Sequence, residues 1–244
     1  MINPLIIISD AHVSEKNKNL DEFFRMLSAL SKMNGDIIFL GDIFDLWVGL
    51  KPYQMSYHRD FLAWCKAEKN NRMVGFIEGN HEFFISRNYA DSFSWCEERG
   101  RNHQGILFVH GDLINIEDKN YLKFRKLTKN RWSEICVRWL PFGPSLVDRL
   151  KKRLKSTNQA YRMKFPEKCV IEFIEQACRS SETGRDQAAC NGVIFGHFHH
   201  EKYWSAPGGE NILSMPAWLD KGDIGLVRPG SESFEAEIVH WQSL

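Results

Sequence analysis

The sequence predicts an α/β fold with layers of helix and sheet. Short apolar runs, rich in Ile, Val or Phe and three to five residues long, end abruptly in polar loops. Such runs are typical of buried strands. Longer segments with helical spacing separate them, and an alternation of strands and helices indicates sheets covered by helices.

The predicted elements follow one another along the chain as a single domain of residues 1–244. The first strand-like runs lie at residues 5–9, 36–40, 73–77, 106–109 and 193–195. Segments with helical spacing lie at residues 20–33, 57–69 and 165–179. Further strand-like runs follow at residues 211–214, 225–228 and 236–241, and we expect this last part to form hairpins because no helical segment separates its runs.

One segment differs from the rest in charge. Residues 119–164 contain fourteen Lys or Arg residues and two acidic residues, although the whole chain has a net charge of only +1. Trp132, Ile135 and Trp139 are among apolar residues that recur there at roughly helical spacing, and Pro141 and Pro144 break the pattern. We therefore predict a basic, amphipathic helical insertion at about residues 117–164.

Composition limits the class of protein. A net charge of +1 gives no overall indication of nucleic-acid binding, and the chain has no run of roughly 20 apolar residues that would span a bilayer. The N-terminus lacks the basic region and cleavage site of a secretory signal. Six cysteines without a C-x-x-C pair indicate reduced thiols, so we expect a cytoplasmic protein.

Every predicted strand of the first set is followed by a loop with metal-competent side chains. These loops carry Asp10 and His12, then Asp42, Asn80 and His110, and finally His197 and His199. Because ligands collect at the carboxyl ends of strands in α/β sheets, we expect the five loops to converge. Imidazole nitrogens mixed with hard oxygens suit Mn²⁺, Fe or Zn²⁺ better than Ca²⁺ or a thiolate site.

The spacing inside two of these loops is also suggestive. In D-x-H and H-x-H, an extended backbone would place alternate side chains on the same side, so that each pair faces one pocket. Glycines next to the candidate ligands would let the backbone approach an ion closely. Each block alone is weak, and a lone G-D-x-x-D such as residues 41–45 could cap the helix that follows it. Five blocks, each after a strand-like run, favour one functional site.

The ordered set D-x-H, G-D-x-x-D, G-N-H-E, H-G-D and G-H-x-H resembles the calcineurin-like metallophosphoesterase superfamily, with no block missing between residues 10 and 199. The resemblance implies a β-sandwich flanked by helices and two divalent metal ions, with Mn²⁺ favoured and Fe or Zn²⁺ as alternatives. One ion would be held by Asp10, His12, Asp42 and His199, and the other by Asp42, Asn80, His110 and His197.

The resemblance also implies roles for the remaining residues. His81 matches the catalytic histidine of the superfamily, and as an imidazolium it would stabilise developing charge or protonate the leaving oxygen. Two ions lower the pKa of a bridging water and clamp phosphate oxygens. We expect Asp45 and Asp112 to lie behind the ligands as acceptors that orient histidines, with a helix-cap or loop role as the alternative. Glu82 receives no role.

More local features are similar to the UDP-2,3-diacylglucosamine pyrophosphohydrolases of lipid A biosynthesis. Residues 41–47, residues 120–125 and the basic helical insertion look like that group, whose inserted helical cap holds acyl chains. The substrate implied is a lipid-linked nucleotide, hydrolysed to lipid X and UMP. Those enzymes commonly have the sequence G-N-R-D where this chain has His81 and Glu82. Another phosphodiester or a phosphomonoester is therefore the alternative substrate.

The basic insertion has several interpretations. Besides a cap for acyl chains, it is compatible with peripheral contact with anionic lipid at the inner face of the membrane. Nucleic acid is a third interpretation, because some members of the superfamily are nucleases. A non-catalytic scaffold of the same fold is the alternative from another class of protein, and the complete set of candidate ligands argues against it.

Overall fold

The computed structural model describes residues 3–140, 165–183, 190–231 and 233–244. Its strands are β1 Leu5–Ile8, β2 Asp36–Phe39, β3 Trp47–Val48, β4 Val74–Ile77, β5 Glu82–Phe83, β6 Trp95–Glu97, β7 Arg101–His103, β8 Ile106–Val109, β9 Gly192–Phe195, β10 Lys202–Ser205, β11 Asn211–Ser214, β12 Asp223–Pro229 and β13 Phe234–His240. Its α-helices are α1 Leu20–Leu30, α2 Ser56–Glu68, α3 Ile85–Asn88, α4 Lys119–Thr128, α5 Arg131–Arg138, α6 Glu167–Thr183 and α7 Trp218–Lys221.

Two large sheets organise these elements. The first has the order β13-β12-β1-β2-β4-β6, and the second has the order β10-β11-β9-β8-β7. In the first sheet β1, β2, β4 and β6 are parallel, whereas β12 and β13 form the antiparallel hairpin expected near the end. In the second sheet β8, β9 and β11 are parallel. A small third sheet pairs β3 with β5 in parallel.

Alternate side chains of the strands build three hydrophobic layers. Ile7 and Ile38 of the first sheet pack with Ile194 of the second in a core between the two sheets. Ile6 and Ile37, on the opposite face, pack with helices α1 and α2. The outer face of the second sheet is covered by α6. The order helix, sheet, sheet, helix confirms the predicted α/β fold and its β-sandwich flanked by helices.

The predicted elements match the observed ones apart from their ends. Helix α1 buries Phe23, Met26, Leu27 and Leu30 at helical spacing, but it stops at Leu30 rather than at residue 33. Strands β12 and β13 are each seven residues long and extend beyond the runs seen in the sequence. Strands β3, β5, β6, β7 and β10 and the short helices α3 and α7 are not predicted, because these strands are very short or largely polar and a single helical turn shows no period.

The described part of the basic insertion contains two helices, and they are separated at residues 129–130, before Pro141 and Pro144. Helices α4 and α5 lie within it, whereas residues 141–164 are outside the described residues. Phe124 of α4 and Val137 of α5 pack on a hydrophobic cluster made by the β3 and β5 segments. The Tyr53 hydroxyl donates a hydrogen bond of 2.9 Å to the carbonyl oxygen of Val137. Within the described ranges, no helix is long and apolar enough to cross a membrane.

Candidate metal centre

The seven candidate ligands meet at one edge of the sandwich. The loops that carry them follow β1, β2 and β4 of the first sheet and β8 and β9 of the second. The carboxyl ends of these parallel strands therefore point to the same place, as the sequence predicted. The candidates are all buried or half-buried, which is unusual for so many polar side chains. They are Asp10, His12, Asp42, Asn80, His110, His197 and His199.

One group of side chains combines the first and last loops. His199 Nε2 lies 3.4 Å from His12 Nε2 and 3.4 Å from Asp10 Oδ1. These three side chains offer ligand atoms that lie within 4.8 Å of one another. The spacing is suitable for a single ion among them. Asp10 is fixed on its other oxygen, since Oδ2 accepts a hydrogen bond of 2.8 Å from the backbone N–H of His197.

A second group combines the middle loops. His197 Nδ1 lies 3.2 Å from His110 Nε2, and Asn80 Oδ1 lies 3.0 Å from the same nitrogen. Asp42, His110 and His197 again offer ligand atoms within 4.8 Å of one another. His110 Nδ1 lies 2.7 Å from the carbonyl oxygen of Leu40, which can only accept. The other nitrogen, Nε2, therefore faces the group as the coordinating atom.

Asp42 lies between the two groups. Its Oδ2 is 3.9 Å from His12 Nε2 of the first group and 3.6 Å from His110 Nε2 of the second. Its Oδ1 accepts a hydrogen bond of 2.8 Å from the backbone N–H of His81. This bond fixes the carboxylate, so that Oδ2 is directed between the two sets of imidazoles. A carboxylate in this position can serve two ions at once.

Two buried carboxylate oxygens provide a test of whether cations fit here. Among the described residues, Asp10 Oδ1 and Asp42 Oδ2 have no hydrogen-bond donor. Leaving a buried acceptor unsatisfied costs about 1–3 kcal/mol, and more for a charged group. One such oxygen faces the first group and the other lies between the groups. The donor set, imidazole nitrogen with carboxylate and amide oxygen, therefore fits two divalent cations.

The electrostatics of the centre agree with this fit. Burial, with the charge of His81, lowers the pKa of His12 to about 3. Burial, with the charge of His110, lowers the pKa of His197 to about 4, so both imidazoles are neutral at pH 7. Burial opposes the charge of His110, but Asp42 and Asp10 raise its pKa to about 10. A cation bound there would replace this proton, because coordination requires neutral imidazole.

The backbone of the ligand loops differs from the extended form that the D-x-H and H-x-H argument assumed. Asp10 and His12 have φ values of 52° and 43°, and His197 and His199 have φ values of 70° and 53°. Asp42 is likewise in the left-handed region, with a φ of 52°. The assumption of an extended backbone was therefore wrong, although the side chains do converge. Left-handed non-glycine residues are strained and cluster at functional sites.

Glu82, to which the sequence analysis assigns no role, lies among the candidate ligands. It is completely buried. Its Oε2 accepts hydrogen bonds from the backbone N–H groups of Asp42 at 2.7 Å and Gly79 at 2.8 Å, and its Oε1 accepts one from Ile43 at 2.8 Å. Burial and the nearby Asp42 carboxylate raise the pKa of Glu82 to about 8. Glu82 thus ties the loop of Asp42 to the loop of Asn80.

The glycines of these two loops permit the close contact that Glu82 maintains. A Cβ atom on Gly79 would lie 2.2 Å from Asp42 Oδ1, and one on Gly41 would lie 2.4 Å from the backbone nitrogen of Gly79. Gly41 also has a φ of 84°, which favours glycine. We expected glycine to let the backbone approach the site closely. The structural reason for glycine here is that one loop packs on the other.

The other three candidates also lie at the centre. His81 is buried, with Nε2 3.7 Å from Asp42 Oδ2, and His12, Asp42 and His81 offer ligand atoms within 4.8 Å of one another. His81 Nδ1 lies 2.6 Å from the carbonyl oxygen of Asp45, so the backbone of Asp45 contacts this histidine. Asp112 is buried behind His110, and its Oδ2 accepts a 2.8 Å hydrogen bond from Arg125 Nε.

Comparison with known proteins identifies the relatives of this chain. The family model of the calcineurin-like phosphoesterases matches residues 4–201. A UDP-2,3-diacylglucosamine hydrolase of Wigglesworthia glossinidia brevipalpis is 28% identical over 238 residues, which cover 90% of this chain and 88% of that protein. The hydrolase of the same name from Neisseria gonorrhoeae is 30% identical and covers 82% of this chain and 84% of its own. That of Vibrio parahaemolyticus is 23% identical, with 95% and 96% covered.

Proposed function

Because this chain belongs to the calcineurin-like phosphoesterase family, we propose that it hydrolyses the pyrophosphate bond of UDP-2,3-diacylglucosamine, giving lipid X and UMP. The family makes it a metal-dependent hydrolase of phosphoester or anhydride bonds. The substrate rests on similarity, along most of the chain, to proteins that carry that name. The observation that best supports the chemistry is the position of Asp42, a buried carboxylate between two groups of ligand atoms.

The ligand assignment follows the two groups. Asp10, His12, Asp42 and His199 would hold one ion, and Asp42, Asn80, His110 and His197 the other. When bound, the two ions supply Lewis acidity that activates water and neutralises the charge of the phosphates. Nitrogen and oxygen donors accept several first-row ions, and we propose Mn²⁺, with Fe or Zn²⁺ as alternatives.

His81 is the proposed general acid. The carbonyl oxygen of Asp45 accepts from His81 Nδ1, so Nδ1 carries a proton and the ring orientation is fixed. Nε2 then faces the space beside Asp42 Oδ2, at 3.7 Å. From there a protonated His81 can donate to a phosphate oxygen or to the leaving oxygen as the bond to phosphorus breaks. Burial excludes competing water from this contact.

Helix α5 supports a lipid-linked substrate. Trp132, Ile135 and Trp139 occupy positions i, i+3 and i+7 and therefore lie on one face, where Trp132 is 79% and Trp139 is 78% exposed. Arg131 and Arg138 stand next to them in the sequence. Tryptophan and arginine together suit the boundary between acyl chains and anionic headgroups. We therefore propose peripheral contact with lipid at the inner face of the membrane, where the diacyl substrate resides.

The test is hydrolysis of UDP-2,3-diacylglucosamine in mixed micelles by the full chain with added Mn²⁺. A chromogenic phosphodiester is assayed in parallel, and a chelator serves as the control. We expect chelator-sensitive release of UMP. Turnover of the simple diester alone would reject the lipid substrate and keep the phosphoesterase chemistry, and it would point to His81, in place of the usual Arg, as the mark of another specificity.

A further inference from the structure

Two cations at the start of the basic insertion are buried, whereas a basic helix normally presents its charges to solvent. Arg125 is 6% exposed, and Lys129, at the C-terminal end of α4, is 7% exposed. Lys123 and Lys126 of the same helix are exposed. Burial of a charge is costly unless it is paired. Arg125 and Lys129 must therefore have fixed partners.

The partner of Arg125 is the loop that carries His110. Arg125 Nε donates a hydrogen bond of 2.8 Å to Asp112 Oδ2, and the hydroxyl of Tyr121, one turn earlier on α4, donates to the same oxygen. The guanidinium also donates to Glu98, at 3.1 Å to the side chain and 2.8 Å to the backbone carbonyl. Asp112 follows His110 by two residues, so α4 fixes the backbone of this loop from behind.

The partner of Lys129 is the loop that carries Asn80. Lys129 Nζ donates a hydrogen bond to the carbonyl oxygen of Gly79, the residue before Asn80. It also lies 4.0 Å from Glu78 Oε2 and 5.4 Å from the centre of the Phe83 ring. A buried ammonium group with these contacts holds the chain at residues 78–79 in one position. The direction of Asn80 depends on that position.

Both loops supply the same group of ligands. Asn80 and His110 lie 3.0 Å apart, and His110 belongs with Asp42 and His197. Metal ligands must be placed within about 0.5 Å, and loss of a residue that orients a ligand typically costs 10–100-fold in metal affinity. The contacts that α4 makes with both loops should therefore affect the ion of this group more than the other ion.

We infer that Arg125 and Lys129 are positioning residues that set the affinity of the Asn80–His110 group for its ion, so that the first helix of the insertion forms part of the metal centre. The inference rests on the proposed dinuclear function. It gives the insertion a second role, distinct from any contact with acyl chains. The ion of the group containing Asp10, His12 and His199 is expected to depend less on α4.

The experiment is a titration of the metal-stripped full chain with Mn²⁺, in which bound ions are counted by equilibrium dialysis and elemental analysis. Lys129→Met removes the ammonium group and keeps an unbranched side chain. Lys126→Met makes the same change at an exposed position of the same helix and is the matched control. We expect wild type and Lys126→Met to bind two ions. Lys129→Met should keep its affinity for the ion of the group with Asp10, His12 and His199. It should bind the second ion, that of the Asn80–His110 group, about 10–100-fold more weakly.

A more conservative variant distinguishes weaker metal binding from loss of folding. Tyr121→Phe removes only the hydroxyl that donates to Asp112, and we expect a smaller weakening of the same ion at an unchanged melting temperature. Equal weakening of both ions, or a second-ion affinity within about twofold of wild type in both variants, would overturn the inference. A wild-type chain that binds fewer than two ions would reject the dinuclear function itself, and the inference with it.

Discussion

The metal centre and the outer face of α5 are two opposite exceptions to the rule that a folded protein buries apolar side chains and exposes polar ones. At the metal centre, carboxylates and imidazoles are buried, and two carboxylate oxygens have no donor among the described residues. Trp132 of α5 and Trp139, the residue after its end, are largely exposed. Buried polar groups and exposed apolar patches are the informative exceptions in a folded protein. The contrast places the proposed chemistry and the proposed capture of substrate in separate regions of this chain.

Asp42→Asn should have the largest effect on the metal centre, because Asp42 lies between the two groups of candidate ligands. We expect turnover to fall to the level of chelator-treated wild type and metal content to fall below two ions per chain. Asp60→Asn, at an exposed position of α2, makes the same change away from the site and should leave both unchanged. Near-normal turnover by Asp42→Asn would refute the bridging role.

His81→Ala separates catalysis from metal binding within the same buried region. We expect the variant to retain two ions and to slow hydrolysis by about 10²–10⁴-fold, the range for a general acid or base. His200→Ala, whose side chain is exposed in wild type, is the comparison. Loss of an ion in His81→Ala would make His81 a ligand, which its position near His12 and Asp42 would then explain.

Glu82→Gln tests the contact between the two ligand loops. The amide can offer only one acceptor oxygen, whereas both carboxylate oxygens now accept backbone N–H groups, including those of Asp42 and Gly79. We expect activity to fall about 10–100-fold, as for other residues that orient ligands. Activity and Mn²⁺ content are measured beside Glu15→Gln, an exposed position. Unchanged activity would mean that the loops keep their positions without Glu82.

Replacement of Trp132 and Trp139 by Ser should have the smallest effect. It should also distinguish most clearly the role of α5 from the role of the metal centre. We expect KM for the lipid substrate in micelles to rise several-fold, since the two indoles together contribute on the order of 1 kcal/mol of partial burial in lipid. Turnover of a soluble phosphodiester should not change. Leu244→Ser, another exposed apolar position, is the control. An equal loss on both substrates would show that the tryptophans support the fold instead.

The sequence predicts the central strands β1, β2, β4 and β9 of the large sheets because each is a mainly apolar run, buried on both faces. It does not predict β3 and β5, although they shape the surface on which α4 and α5 pack, because two residues cannot show a period. The same limit applies to helix ends. The α/β fold, predicted from the alternation of strands and helices, and the membership of the phosphoesterase family, inferred from the ordered motifs, are confirmed.

The candidate ligands can be proposed from the sequence, but the contacts that hold them in place cannot. Three N–H donors from two separate loops meet Glu82, and this convergence exists only in the folded chain. Arg125 and Lys129 stand in a run of basic residues, for which a solvated face is the usual interpretation. Nothing in that run distinguishes the two buried cations from their exposed neighbours.

The left-handed backbone of the ligand residues has a consequence for the evolution of this chain. A non-glycine residue in that region costs roughly 1–2 kcal/mol, and five candidate ligands adopt it. Glycine at His12 or His199 would relieve that cost and remove a proposed ligand at the same time. Selection for thermostability alone would therefore favour loss of function at these positions. Family members that have abandoned catalysis should be free to accumulate glycine there, and active ones should not.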